Sequence, residues 1–258
     1  MQSKQLAPLD AQFLGKSWSR FSSYSFAQSE IGAVIGASEV APVASFAPFL
    51  FRKFDTGIMP YVLFSLSGRR NEFVKPNGDW LGSYVPAALR AHPFELSGDS
   101  DTPRLLVDVS AHAAHGIGGP ESIPYFDDSG GFSPPVQDVR KFLLERREEL
   151  KRTAVIMRKL TRAGLFVACN APHLTRKDKD RLFLINWKRL YADCALLSDL
   201  SGDLVQQSIL HAHAVSLIQI GKLRALQAED RIRAAEHVGI PPGFEGFLDA
   251  ISTAVKND

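Results

Sequence analysis

Asn71–Leu96 reads NEFVKPNGDWLGSYVPAALRAHPFEL and compresses two strands, a turn and a helical turn into one short run. Asn71-Glu72-Phe73-Val74-Lys75 alternates polar and apolar residues, the pattern of a strand with one buried face. Pro76-Asn77-Gly78-Asp79 supplies turn chemistry, because proline presets φ and Asn-Gly tolerates the positive φ of a hairpin turn. Trp80 to Val85 is rich in aromatic and branched residues and is expected to pair back on the first strand. Pro86 cannot donate to a ladder, so it ends the strand or opens a helix. Ala87 to His92 then reads as one helical turn, stopped by Pro93. Trp80, Tyr84 and Phe94 either form an aromatic binding surface or anchor the hairpin in the core, and large aromatics beside a hairpin favour the core.

Working outward, short strands and turns dominate residues 24–85. Tyr24–Ala27 and Ile31–Ile35 read as short strands, and Ser38–Ala47 as a helical turn with Ser38 as its N-cap. Pro48–Phe54 and Pro60–Leu66 form the clearest strand pair, joined by Asp55-Thr56-Gly57. This is a meander, which favours an antiparallel sheet over βαβ units. Leu105–Val109 is a further strand, followed by a long Gly/Pro-rich surface loop over 110–135. Its Gly116-Ile117-Gly118-Gly119 lacks the Lys-Ser/Thr of a phosphate loop and the spacing of a dinucleotide fingerprint.

The second half changes character. Ser133 is placed to cap a helix that starts at Pro134-Pro135. Val139, Leu143, Leu150, Ala154 and Met157 recur at helical spacing, and Gly164 ends the run. Leu165–Ala168 and Leu182–Ile185 read as a hairpin added to the sheet. Asn186 caps a short helix with Trp187, Leu190 and Tyr191. A longer helix opens at Gly202-Asp203, with Leu204, Ile209, Ala212, Leu217 and Ile220 on its apolar face. A last helix is expected over Phe247–Val255. The fold class is therefore α+β, an antiparallel sheet from the N-terminal half packed against C-terminal helices. The expected organisation is an arm over 1–20, a single domain over 21–228 and a helical extension over 229–258.

The chain has 258 residues, 45% of them apolar and 22% charged, with a formal net charge of +2. That is a globular composition, and the charge is too small to argue for nucleic acid. Paired basic residues such as Arg146-Arg147 alternate with acidic ones at helical spacing and read as a solvated helix face. Two cysteines, Cys169 and Cys194, make no disulfide framework and fit a reducing compartment. The first residues lack the apolar core of a signal peptide, and no run is long enough to span a membrane. A cytoplasmic protein is expected, with a protein, peptide or small-molecule partner. The sequence gives no oligomeric state, and no cofactor is predicted.

Catalytic signatures are missing: no G-x-S-x-G elbow occurs, and Asp127-Asp128 sits in a turn-like context. No catalytic residue is assigned. Asp108-x3-His112-x2-His115 is the best metal candidate, since two imidazoles and a carboxylate suit zinc or iron. Loop histidines beside glycine are the plainer reading. His211 and His213, two apart on a helix, would point different ways, one packed and one exposed. A ligand pocket built from Trp80, Tyr84 and Arg90 is the other candidate site.

Leu6-Ala7-Pro8-Leu9, Tyr61–Leu66 and the pattern N-x-F-V-x-x-x-G-x-W-L-G-x-Y-V-P-A-x-L-R-x-x-P-F over Asn71–Phe94 resemble the SapC family of bacterial proteins. The similarity runs on through Leu182-Phe183-Leu184-Ile185-Asn186 to Ile220-Gly221-Lys222-Leu223, covering roughly residues 5–225. This resemblance implies an accessory or binding role in surface-layer or envelope-linked gene systems, and relatives are encoded near outer-membrane receptors and halogenase-like flavoproteins. It implies no transferable catalytic residue. The chain departs from relatives at Ser110–His115, where they tend to carry acidic residues, and beyond about Gln227. The alternatives to a non-catalytic accessory protein are a metal-dependent oxygenase- or hydrolase-like enzyme using Asp108, His112 and His115, and a small-molecule or peptide binder around Trp80 and Tyr84.

Overall fold

The computed structural model describes residues 4–98, 102–110, 122–169 and 181–237. They form an α+β fold with three antiparallel sheets. The largest runs in the order β3 (Gly32–Val34), β5 (Gly57–Leu63), β4 (Phe49–Phe54), β10 (Leu182–Ile185) and β9 (Phe166–Ala168). The clearest strand pair of the sequence is its centre. Phe54 pairs with Gly57, which leaves Asp55-Thr56 as a two-residue turn, and Gly57 takes φ +130°, a conformation that favours glycine. The expected hairpin of β9 and β10 joins the other edge of β4 through Leu182–Arg52 and Phe183–Phe51.

A second sheet orders β1 (Leu6–Pro8), β7 (Leu105–Asp108) and β6 (Phe94–Leu96), and a small pair joins β2 (Ser17–Trp18) to β8 (Ile123–Pro124). Residues of the expected N-terminal arm therefore take part in pairing, and Leu9, Phe13 and Trp18 are buried.

Among the described residues the α-helices are α1 (Val40–Ala44), α2 (Ala87–Arg90), α3 (Pro134–Arg162), α4 (Trp187–Ala192), α5 (Cys194–Ser201), α6 (Leu204–Ser216) and α7 (Gln219–His237). The long helix α3, at 29 residues, is about 43 Å long at 1.5 Å per residue. It begins with Pro134-Pro135 as expected and ends at Gly164, whose φ of +67° allows Leu165 N–H to reach back to the Leu160 carbonyl at 3.2 Å. Asn186 and Asp203 cap α4 and α6 with their side chains, accepting from Arg189 N–H and from Val205 and Gln206 N–H. Two residues of the helix pattern expected from Gly202-Asp203 lie elsewhere: Leu217 follows α6, and Ile220 belongs to α7. The 228/229 boundary falls inside α7. The helix expected over Phe247–Val255 lies outside the described residues.

Several local expectations are corrected. The 71–85 hairpin shrinks to one bridge, Val74–Trp80. The reason is competition for backbone groups, since Asn71 N–H bonds Gln28 O at 2.8 Å and Glu72 N–H bonds Phe64 O at 2.9 Å. Tyr24–Ala27 is no strand, because Ser25–Ala27 winds into a 3-10 turn in which Ala27 N–H reaches Tyr24 O. Ser38 caps nothing and sits inside the 3-10 turn Ala37–Glu39. Ser133 occupies the N-cap position of α3 but makes no capping bond, its hydroxyl donating instead to Pro124 O at 2.6 Å. The described end of the expected loop is also more ordered than composition implied, with β8, a Phe126–Phe132 bridge and a fully buried Tyr125. Leu204 is 80% exposed and not on the apolar face, because it is the first residue of α6 and sits ahead of its packed turns.

Two hydrophobic clusters result. The larger surrounds the five-stranded sheet and holds Phe46, Phe49, Phe51, Phe64, Phe73, Met157 and Ile209. The smaller surrounds the three-stranded sheet and holds Phe13, Trp18, Phe94, Val107, Tyr125, Val136 and Leu143. Helix α3 spans both, giving Val136 and Leu143 to the smaller and Met157 and Leu160 to the larger. The turn of helix between Leu143 and Leu150 is where the two clusters meet.

Candidate functional site

The structure brings Trp80, Tyr84 and Arg90 together, but around a fourth residue. Glu39 is 3% exposed, and its carboxylate accepts from Gly36 N–H at 3.0 Å, Ala87 N–H at 2.7 Å and the Tyr84 hydroxyl at 3.0 Å. Arg90 donates to the same hydroxyl at 3.1 Å, and its guanidinium lies over the rings of Tyr84 and Phe142. Trp80 donates its indole N–H to Tyr84 O at 2.9 Å and packs edge-on or tilted against Phe46, Phe64 and Phe73. Burial first, and then the Glu39 carboxylate, push the Tyr84 phenol up to about 12. The Trp80 indole N–H and the Tyr84 hydroxyl are spent on the fold, tying the 36–39 turn to the start of α2, while Arg90 is exposed beside them. Sequence reading missed Glu39. Its signal was a glutamate three residues after Gly36 at a helix start, the position from which a carboxylate reaches back to the chain entering the helix.

Helix α3 holds the same turn from the other side. Thr153 accepts from Ala37 N–H at 2.9 Å, and the Glu149 carboxylate accepts from Ser38 N–H at 2.9 Å and from the Ser38 hydroxyl. A Cβ at Gly36 would collide with the end of the Glu149 side chain, so any larger residue there would displace that carboxylate from its place on the turn.

Asp108 is buried at the end of β7, where one carboxylate oxygen accepts from Gln5 N–H at 3.1 Å, Ser110 N–H at 3.0 Å and the Ser110 hydroxyl at 2.6 Å. Its proposed metal partners His112 and His115 lie outside the described residues. Among the described residues no group of three His, Cys, Asp or Glu side chains could hold a metal ion. Asp127 is a turn former, accepting from Ser129 and Gly131 N–H. His211 is exposed and His213 buried, as their spacing on α6 required. Cys169 is buried, whereas Cys194 is exposed at the start of α5.

The concave feature of this region is a cleft of about 470 Å³ between α3, β3 and the α2–β6 segment. Its walls are mainly apolar, including Ala88, Leu89, Phe94, Leu143 and Leu150. Five charged residues also line it. Lys4 bridges Glu95 at 2.9 Å and Glu30 at 3.7 Å, and although burial works against its ammonium, those carboxylates raise its pKa. Arg146 and Arg147 stand on α3. Arg146 is half-buried; one terminal nitrogen donates to Val34 O at 3.3 Å, and its buried Nε has no partner among the described residues. Burial lowers its pKa from the ordinary arginine value, partly offset by Glu39, Glu149 and Glu95. The expectation that Arg146-Arg147 is a solvated helix face is thus corrected for Arg146. This turn of α3 faces the junction of the clusters, so the side chain lies along the cleft wall, half withdrawn from water.

Trp80 and Tyr84 do not line this cleft, and Arg90 does not either. The cleft could be reached from sequence only with the register of α3 on the sheets in hand. No described helix is long and apolar enough to cross a membrane. No curated protein and no solved structure matches the chain in comparisons with known proteins. The family model SapC matches residues 10–226, which run from before β2 into α7 and leave out β1 and Lys4, and the chain belongs to the SapC family.

Proposed function

We propose that this protein is a non-catalytic accessory protein of bacterial surface-layer or envelope-linked systems, and that it acts by binding. The cleft between α3, β3 and α2–β6 is its binding surface. One observation carries this reading: the cleft has apolar walls and a half-buried arginine, the mixture by which small ligands or short peptide segments are held and oriented. Its volume falls in the range of about 300–1,000 Å³ typical of ligand sites. The Trp80 indole N–H and the Tyr84 hydroxyl are engaged internally, and Arg90 lies outside the cleft. The link to surface layers and envelope systems rests on the family resemblance.

The test is complementation of a deletion strain. Deletion is expected to alter the surface layer or envelope uptake. The wild-type gene should restore it, and Ala88→Trp, which fills the cleft from α2, should not, while still yielding folded protein. An intact surface layer with unchanged uptake after deletion, or full rescue by Ala88→Trp, contradicts the proposal.

A further inference from the structure

The charges of the cleft are unevenly satisfied. Lys4 is engaged by two carboxylates, Glu95 and Glu30. Arg146 is different: among the described residues no carboxylate oxygen lies within 4 Å of it, and Val34 O is its one hydrogen-bond acceptor. A guanidinium taken largely out of water is costly unless an anion meets it, and the carboxylates that influence it, Glu39, Glu149 and Glu95, act across a distance. Glu39 and Glu149 are held by the 36–39 turn and Glu95 by Lys4, so none is free to swing over. Arg147 adds a second cation to the same wall. Around them stand Ala88, Phe94, Leu143 and Leu150, which offer nothing polar.

We propose that the cleft binds a small monocarboxylate with an apolar body. Its carboxylate pairs with the Arg146 guanidinium, and its chain lies against Leu143, Leu150 and Phe94. The planar donor fork of arginine suits a carboxylate, and the low local polarity strengthens the pair. This inference rests on the cleft being a binding surface and adds the ligand class.

The probe is octanoate, compared with octanol and octylammonium, read by thermal unfolding of the full chain. Octanoate at about ten times its Kd is expected to raise the melting temperature by roughly 3 °C, by mass action on the folded state. Octanol and octylammonium should give less than about a third of that shift, since neither offers the anion that doubles the strength of an arginine hydrogen bond. Arg146→Gln should weaken octanoate binding by about tenfold or more. Should that variant fail to fold, the wild-type preference for octanoate over octanol decides, together with Leu150→Trp, which fills the cleft while keeping both arginines and should abolish the shift. The inference is overturned if octanoate gives no shift, if octanol or octylammonium matches it, or if Arg146→Gln or Leu150→Trp binds octanoate as the wild type does. Equal shifts from all three probes, lost in Ala88→Trp, would remove the carboxylate class while leaving the binding reading intact.

Discussion

The Tyr84 hydroxyl donates to Glu39 at 3.0 Å inside a site where the same carboxylate also holds the backbone of Gly36 and Ala87. That bond joins the aromatic segment 71–96 to the turn that α3 clamps from the other side. It makes Tyr84 a fastening of the fold. Tyr84→Phe keeps the ring but removes a hydrogen bond to a buried acceptor, and the expected loss is about 1–3 kcal/mol in urea unfolding. A loss below about 0.3 kcal/mol would show that the hydroxyl holds nothing.

The same bond sets an alkaline behaviour. Burial and the Glu39 carboxylate raise the Tyr84 phenol from 10 to about 12. The unfolded chain releases this proton from pH 10 while the folded chain keeps it to about 12, so the contribution of Tyr84 to stability is full below pH 10 and is lost as pH rises toward 12. Absorbance titration of wild type against Tyr84→Phe should assign to Tyr84 a transition well above 10. A Tyr84 transition near 10 contradicts the buried geometry.

His213 governs the acid side. Its Nδ1 faces Phe49 O at 3.0 Å, and Ile185 N–H donates to its Nε2 at 3.4 Å, which fixes the neutral tautomer protonated at Nδ1. Burial lowers its pKa to about 4, against 6.5 in an open chain. The unfolded state therefore takes up a proton that the folded state refuses. The contribution is full above pH 6.5 and is lost as pH falls through about 4, with a ceiling of roughly 3 kcal/mol. In His213→Gln the slope of stability against pH between 6.5 and 4.5 should be shallower by up to one proton. An unchanged slope would place the acid sensitivity elsewhere.

Asp203 accepts two backbone N–H groups at the start of α6, from Val205 at 3.0 Å and Gln206 at 3.1 Å. Asp203→Ala is expected to cost about 1 kcal/mol, and Asp203→Ser to recover most of it. If serine is as damaging as alanine, capping is not the reason for the loss.

Much of the fold was legible because local chemistry and tertiary packing agree. The β4–β5 hairpin has a turn that only a few residue types form, and α3 has prolines at its start and a glycine in the left-handed region at its end. The β9–β10 hairpin and the Asn186 cap are legible for the same reason. The 71–85 hairpin misleads because its first two amides are bonded to Gln28 and Phe64, partners distant in sequence. Ser133 misleads in the same way, since β8 brings Pro124 O within reach of its hydroxyl. The site was the least legible part. Glu39 and Arg146 look like any other charged residue on a helix pattern, and what singles them out is burial, which depends on how α3 lies across two sheets.

The account turns on where a ligand sits, and photo-crosslinking answers that most directly. An octanoate analogue with a diazirine on its chain would be irradiated with the full-length protein and its attachment sites mapped by mass spectrometry. Labels are expected on the cleft walls, within residues 88–96 and 143–150, and should be competed away by octanoate. Labels concentrated around Trp80 and Tyr84, with none on the α3 wall, would contradict the account and return the site to the aromatic segment.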